Sequence, residues 1–430
     1  MSRTTPGAAP PRPETRPGAG SAGSGFWVVG AVLVLLMLSS SVPSALYVLY
    51  QQRWGLSSGM VTVVFALYAV TVLLGLLLFG SLSDTLGRRP VLGAGLVLAV
   101  VSMGLFAAAR GLGLLLAARA VQGLAVGVAT GAMGAALLEL SPRSRPALGA
   151  QVNSAGPTVG IGLGGIGAGL LVQYAPAPTV LSYLLLGAAF LVALAGVVRM
   201  RESAPLAPGD ARRTGGAGVR QSGVRRIGVR RIGVPAAVRG RFAVLVLTIV
   251  AVWSVGGFYL SLGPHLALSL LHSSNYLLGG ATVALLAGAA TAAQLLLGST
   301  EALRTAVLGL CGLLAGLALV LLALGLRSAP VFLAGTAVLG SGWGAAFLGA
   351  FRALSALAEP AHRGGLTAAV YVFAYLAMSV PAVLAGLLTN IHGLQRTSVG
   401  FMAAVAAVCA LALLVTLRLA ARIRAEGSTA

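Results

Sequence analysis

The chain has 430 residues, of which 58% are hydrophobic and only 9% charged, and its mean hydropathy is +0.96. That is more apolar surface than one soluble core buries, so lipid is the natural solvent for the excess. The formal charge of +21 comes from 29 arginines and no lysine; in a soluble protein it would point to nucleic acid, but no base-reading motif accompanies it.

A spanning helix needs about 20 mostly apolar residues, and twelve such runs are legible, near 26–49, 59–80, 91–109, 112–138, 148–171, 179–198, 242–262, 276–298, 305–326, 329–351, 365–389 and 398–417. The expectation is an all-α membrane protein of twelve transmembrane helices. Of the 29 arginines, only Arg53, Arg110, Arg327 and Arg396 fall in loops of one side, and Arg119 falls inside a span. All the others fall on the opposite side. By the positive-inside rule this skew puts both termini in the cytoplasm of a cell whose plasma (inner) membrane the chain crosses an even number of times. The absence of lysine points to a high-GC, bacterial genome, an argument from codons rather than from physics.

In chain order, residues 1–25 are rich in Pro, Gly and Ala and hold no apolar stretch. A disordered cytoplasmic tail is expected there, rather than a cleaved signal peptide, so the first span stays in the mature protein. Between the second and third spans stands GSLSDTLGRRP, residues 80–90. Gly80 and Gly87 permit a tight turn and close helix approach, and Asp84 is placed to face a helix amino terminus and to pair with nearby arginines. With this spacing, Gly80, Asp84, Gly87, Arg88 and Arg89 resemble the signature loop of the major facilitator superfamily. The resemblance implies a loop that latches the two halves together on the cytoplasmic side, with Asp84 near the start of the eleventh span, around Arg363 to Leu366. Arginines that merely set topology would account for Arg88 and Arg89 but not for Asp84. The stretch PSALYVLYQQRWG, residues 43–55, likewise resembles the first-helix exit of bacterial efflux facilitators.

The fourth span carries ARAVQGLAVG, with Arg119, Gln122, Gly123 and Gly127 on one helical face. An isolated arginine inside a membrane costs about 2.5–3.5 kcal/mol on insertion scales, so Arg119 is expected to face a polar cavity and to serve a function; snorkelling to the outer surface is the alternative. The arrangement resembles the fourth-helix motif of proton-linked facilitators. In the fifth span, SAGPTVGIGLGG sets Gly156, Gly160 and Gly164 every fourth residue beside Pro157. Small residues at this interval let helices touch backbone to backbone, and the proline bends the span. The pattern resembles the glycine-proline motif of facilitator antiporters, with departures: Val152 stands where the upstream glycine is usual, and the double glycine comes late, at Gly164 and Gly165.

Residues 199–241, rich in Arg, Gly and Pro and including VRRIGVRRIGV, separate six spans from six. This segment reads as a basic cytoplasmic linker, either purely topogenic or lying on anionic headgroups at about 1 kcal/mol per arginine. It divides the chain into a tail (1–25), a six-helix half (26–198), the linker, a second half (242–417) and a short tail (418–430). An offset of 217 residues superposes the halves. Ala120, Val121, Gly123, Gly127 and Ala129 then fall on Ala337, Val338, Gly340, Gly344 and Ala346, Gly169 to Leu171 on Gly386 to Leu388, and Asp84 on Glu301. Parallel repeats of this kind give two pseudo-symmetric halves with the solute site between them near the midplane, exposed alternately to each side. Aromatic and amide candidates for that cavity are Tyr47, Tyr68, Asn153, Trp253, Tyr259, Gln294, Trp343, Tyr371 and Tyr375, each of which could equally pack or anchor at an interface.

The acids Glu14, Asp84, Glu139, Glu202, Asp210, Glu301, Glu359 and Glu426 all fall in loops, tails or span ends of the arginine-rich side; His265, His272 and His392 fall at the other ends and His362 in an inner loop. With no carboxylate at the midplane, a neutral or anionic solute is favoured over a cation, and any proton coupling is assigned to Asp84 or Glu139 near the cytoplasmic mouth. Cys311 and Cys409 sit inside spans as packing residues, without a disulfide. No phosphate loop, metal-ligand cluster or activated nucleophile is present, so neither an enzyme nor a cofactor is expected. The expected function is export of a small amphipathic organic compound, a drug or metabolite, by a monomer. Uptake of a sugar or organic acid, and a non-transporting receptor or scaffold, are the alternatives.

Overall fold

The computed structural model describes residues 19–80, 82–200, 202–203, 233–357 and 363–428. Most of the expected tail (1–18) and linker (204–232) lie outside the described residues, as do Glu14, Asp210, Glu359 and His362. The described residues form fourteen α-helices: α1 Ala19–Trp54, α2 Ser58–Phe79, α3 Leu82–Leu86, α4 Arg88–Ala107, α5 Leu112–Glu139, α6 Leu148–Tyr174, α7 Pro178–Arg199, α8 Arg239–Ser261, α9 Gly263–Leu270, α10 Tyr276–Leu296, α11 Ala302–Leu326, α12 Ala329–Ala356, α13 Arg363–His392 and α14 Leu394–Ser428. Twelve are long and apolar enough to cross a bilayer; the short α3 lies in the loop after the second span, and α9 follows the end of the seventh. Helix α1 begins inside the stretch expected as an irregular tail, and α14 runs past the expected last span.

The connections are short and use residues suited to them. Ser57 caps α2 by accepting the Met60 N–H at 3.2 Å, and Asn275 caps α10 by accepting that of Leu277 at 3.0 Å. Gly55, Gly87 and Gly393 turn the chain with φ of 65°, 93° and 79°, a region that disfavours any side chain with a β-carbon. Even-numbered crossings return α14 to the face where α1 begins. We call this the terminal face and the other the opposite face.

The internal repeat survives in three dimensions. A β-carbon on Gly123 would run into the Tyr68 carbonyl oxygen of α2, and one on Gly127 into that of Val72. In the second half, Gly340 and Gly344 of α12 meet the carbonyls of Leu286 and Ala290 on α10 in the same way. The offset glycines thus make equivalent contacts, which is why one offset aligns both halves: each pair of helices approaches backbone to backbone, and only glycine fits.

Across the halves, two further seams are pseudo-equivalent. On one, Gly165 and Gly169 of α6 face Gly280 and Leu277 of α10; on the other, Gly386 of α13 faces Thr62 of α2, with Gly59 against Leu387 and Asn390. Both seams lie toward the opposite face. There Tyr276 donates its hydroxyl to Gln52 Oε1 at 2.5 Å and its backbone N–H to Gln173 Oε1 at 2.9 Å. The opposite face is therefore closed by contacts between halves.

Candidate functional site: a central cavity open on one face

Between the halves lies a cavity of about 840 Å³. Its lining reaches the terminal ends of four spans, at Leu138 of α5, Gln151 of α6, Arg352 and Ser355 of α12 and Gly298 after α10, so it opens on the terminal face. Seven of the nine candidate residues line it: Tyr68, Asn153, Trp253, Gln294, Trp343, Tyr371 and Tyr375.

Two candidates do not line it. Tyr47 points into the first half and Tyr259 into the second, where its hydroxyl lies 3.1 Å from Thr336 Oγ1. Both are fully buried, because each phenol finds a polar partner within its own half and has no need of the cavity.

The cavity has two chemically distinct walls. On the second half, five rings form a closed circuit of edge and face contacts: Trp253 to Tyr375 at 5.0 Å, Tyr375 to Tyr371 at 6.2 Å, Tyr371 to Phe351 at 6.3 Å, Phe351 to Phe347 at 5.6 Å and Phe347 back to Trp253 at 6.1 Å. These spacings fall in the range of favourable aromatic pairs. Trp343 joins this wall with its indole N–H donated to the Val252 carbonyl at 2.8 Å, which fixes the ring. Opposite, at the α6–α10 seam, Thr291 donates to Thr158 at 2.8 Å, and Thr158 lies 3.3 Å from Gln294 Oε1. Among the described lining residues there is no carboxylate.

Arg119 does not line the cavity as expected. It is 0% exposed, and protein rather than water satisfies it: Nε and Nη2 donate to the Tyr47 hydroxyl at 2.9 and 2.5 Å, and Nη1 to Gln122 Oε1 at 2.7 Å and the Ser40 carbonyl at 3.2 Å. The guanidinium also lies 5.4 Å from the Tyr47 ring, 5.1 Å from Tyr68 and 5.9 Å from Phe106, within the reach of cation–π attraction. Gln122 completes the seat by donating to the Ser39 carbonyl at 2.9 Å. Tyr68 and Ser40, hydrogen-bonded to each other at 2.9 Å, form the layer between this seat and the cavity. Snorkelling to the outer surface is likewise ruled out by the burial.

The loop after the second span forms a charge cluster inside the first half. Arg88 pairs with Asp84 at 2.6 Å and with Glu139 at 3.0 Å. Glu139, expected at the cavity mouth, is thus drawn into this cluster and also accepts from Ser203 at 3.0 Å. The amino terminus of α4 is capped by Glu202, whose two oxygens accept the backbone N–H groups of Arg88 at 2.7 Å and Arg89 at 3.0 Å. Asp84 reaches toward α13 only through a side cavity of about 250 Å³ that it shares with Thr367 and Ala368. Among the described residues, no hydrogen bond or ion pair joins Asp84 to α13.

The α6 glycines serve two different faces. Gly156, Gly160 and Gly164 pack on α1 at Leu33, Val34 and Leu38, within one half, while Gly165 and Gly169 meet α10 across the halves. Pro157 lines the cavity. The lining residues Thr158, Phe347, Phe351 and Arg352 were not singled out from sequence. For Phe347 and Phe351 a signal existed: with Trp343 they repeat every fourth residue, a stripe on one face of α12.

Twelve spans in two pseudo-symmetric halves, around a cavity open to one side and closed to the other, define a membrane transporter. The sequence matches the family profile of the Major Facilitator Superfamily over residues 28–302, and the chain belongs to that family. Its fold is similar to that of a bacterial homolog of the human lysosomal transporter Spinster. The inward-facing, unoccupied form of that protein is 13% identical and covers 92% of this chain and 97% of that one, with a TM-score of 0.73. The inward-facing, occupied form is 14% identical, covers 91% and 96%, and has a TM-score of 0.69. Among curated proteins no sequence match is found.

Proposed function

We propose that the protein is a proton-coupled secondary transporter that exports a small amphipathic organic compound by alternating access. The observation that carries this reading is the central cavity, open at the terminal face and closed at the other by the two glycine seams. The arginine skew supports assigning the terminal face to the cytoplasm, since Arg53, Arg110, Arg327 and Arg396 are the exceptions on the opposite face. A cavity reached from the cytoplasm takes up compounds made or accumulated there. Export is supported by the Gly156–Pro157 motif and its resemblance to that of facilitator antiporters. An aromatic wall without a described carboxylate supports a neutral or anionic solute. Asp84 and Glu139 are the carboxylates proposed to carry coupling, because both share Arg88 and sit at the face where the latch must form and break.

The test is substrate accumulation in everted vesicles energised with an inward-acid proton gradient. Export predicts accumulation that collapses with an uncoupler; depletion from preloaded vesicles instead would assign uptake. Full gradient-driven accumulation by the double variant Asp84→Asn, Glu139→Gln would remove these two carboxylates from the coupling step.

A further inference from the structure

Gln294 sits at the point where the α6–α10 seam gives way to the cavity. It is 5% exposed and contributes to the lining. Its Oε1 is engaged by Thr158, which is itself held by Thr291. Its Nε2 retains contact with the cavity and makes no hydrogen bond among the described residues. A nearly buried amide donor without a partner is costly unless water or a ligand supplies an acceptor. The wall on the second half offers the opposite chemistry: a closed circuit of five rings whose joint surface is apolar and polarisable. Trp343 adds a sixth ring, and its only N–H is already spent on Val252, so it presents π-surface alone.

We propose that Gln294 is a specificity-determining residue, and that the cavity selects planar aromatic solutes bearing a carbonyl or carboxylate oxygen. The ring lies on the Trp253–Tyr375 wall and the oxygen accepts from Gln294 Nε2. This rests on the reading of the cavity as the transport site. The selectivity follows from asymmetry. A solute with the ring but no acceptor leaves the buried amide unpaired, and one with the acceptor but no ring forfeits the aromatic surface. A cation finds no described carboxylate in the lining, while Arg352 at the mouth, holding the Gly298 and Thr300 carbonyls through Nη1 alone, favours anions on entry.

The experiment is calorimetric titration of the purified full-length protein with four probes: 2-acetylnaphthalene, 2-naphthoate, 2-methylnaphthalene and trimethyl-2-naphthylammonium. Acetylnaphthalene and naphthoate are expected to bind best. Gln294→Leu should weaken both by about tenfold, the ratio expected from one net hydrogen bond to a buried group, and should tighten methylnaphthalene, which then no longer leaves a buried amide unpaired. Gln294→Asn, which keeps the amide but draws it back by one methylene, should weaken the same two probes by less. Trp253→Ala should weaken all ring-bearing probes alike. Melting temperatures identify any variant that fails to fold, and the other amide variant then decides. Tightest binding of the ammonium probe, equal loss of acetylnaphthalene and methylnaphthalene in Gln294→Leu, or no binding of any probe would overturn the proposal. Vesicle flux separates the two readings: binding as described without flux of any probe removes the transport assignment and leaves the selectivity, whereas flux of the ammonium probe in excess of naphthoate leaves transport standing and removes the selectivity.

Discussion

The seam between α6 and α10 yields a prediction that separates closure from simple packing. In Gly280→Ala, the new β-carbon would lie 3.0 Å from the Gly169 α-carbon and would press into the Gly165 carbonyl oxygen. Non-bonded carbons settle about 3.5–4.0 Å apart, so the seam must widen by about 0.5–1 Å. Overpacking of this kind costs about 1–3 kcal/mol, and here it burdens only the conformer in which the halves touch at the opposite face. A difference of that size shifts a two-state equilibrium about 5- to 150-fold, in favour of opening on the opposite face. The assay is the distance between spin labels at Arg110→Cys in the first half and Ser274→Cys in the second, with Cys311 and Cys409 replaced by alanine. A longer-distance population should appear with Gly280→Ala. Gly340→Ala, which creates the same clash with the Leu286 carbonyl inside one half, should lower stability without moving the distance. An unchanged distance in folded Gly280→Ala, or equal opening by Gly340→Ala, would refute the assignment of this seam to closure.

Three other perturbations test the surroundings of the cavity. Tyr47→Phe removes the acceptor of two Arg119 donors and should destabilise the protein by about 1.5–3 kcal/mol, the range for hydrogen bonds to charged groups; a melting temperature equal to that of the wild type would mean that Tyr47 does not seat the guanidinium. Glu202→Gln removes the anion at the start of α4 and should lower stability by about 0.3–1 kcal/mol at low ionic strength. High salt should erase the difference, and a salt-independent loss would point to packing instead. His265, on α9 beyond the seventh span, is held below its ordinary value of 6.5 by burial, and its Nδ1 has no partner among the described residues. The unfolded chain therefore takes up this proton at higher pH than the folded one, so stability is full above about pH 6.5 and declines as pH falls below it; the fall in melting temperature between pH 7 and 5 should be shallower in His265→Gln, and an identical slope would exclude His265 as its source.

Much of the architecture was legible because the constraints of a bilayer are one-dimensional: span length, loop charge and a repeat offset can all be counted along the chain. The glycines of the repeat were legible for the same reason, since close approach leaves no alternative residue. The cavity wall was partly legible, through large aromatics and amides inside spans. What stayed hidden was direction. Tyr47 and Tyr68 look alike in sequence, yet Tyr47 turns to Arg119 while Tyr68 lines the cavity. Likewise Asp84, Glu139 and Glu202 lie far apart along the chain, and only the fold gathers them around Arg88 and the first turn of α4.

Arg119 shows how a sound premise can lead to the wrong neighbour. The expense of a charge in hydrocarbon requires that it be solvated, but that requirement is indifferent to whether water or protein does the solvating. Here a tyrosine hydroxyl, a glutamine amide and a backbone carbonyl supply acceptors in fixed positions, and three rings surround the guanidinium. Acceptors already in place need no reorganisation and leave no reason for the side chain to reach the cavity. The consequence is mechanical: Ser40 links the charge to the cavity, its carbonyl accepting from Arg119 and its hydroxyl oxygen accepting from Tyr68. A solute that displaces Tyr68 therefore disturbs the arginine seat without touching it, by two routes, the hydrogen bond to Ser40 and the ring 5.1 Å from the guanidinium; Tyr68→Phe cuts the first and keeps the second.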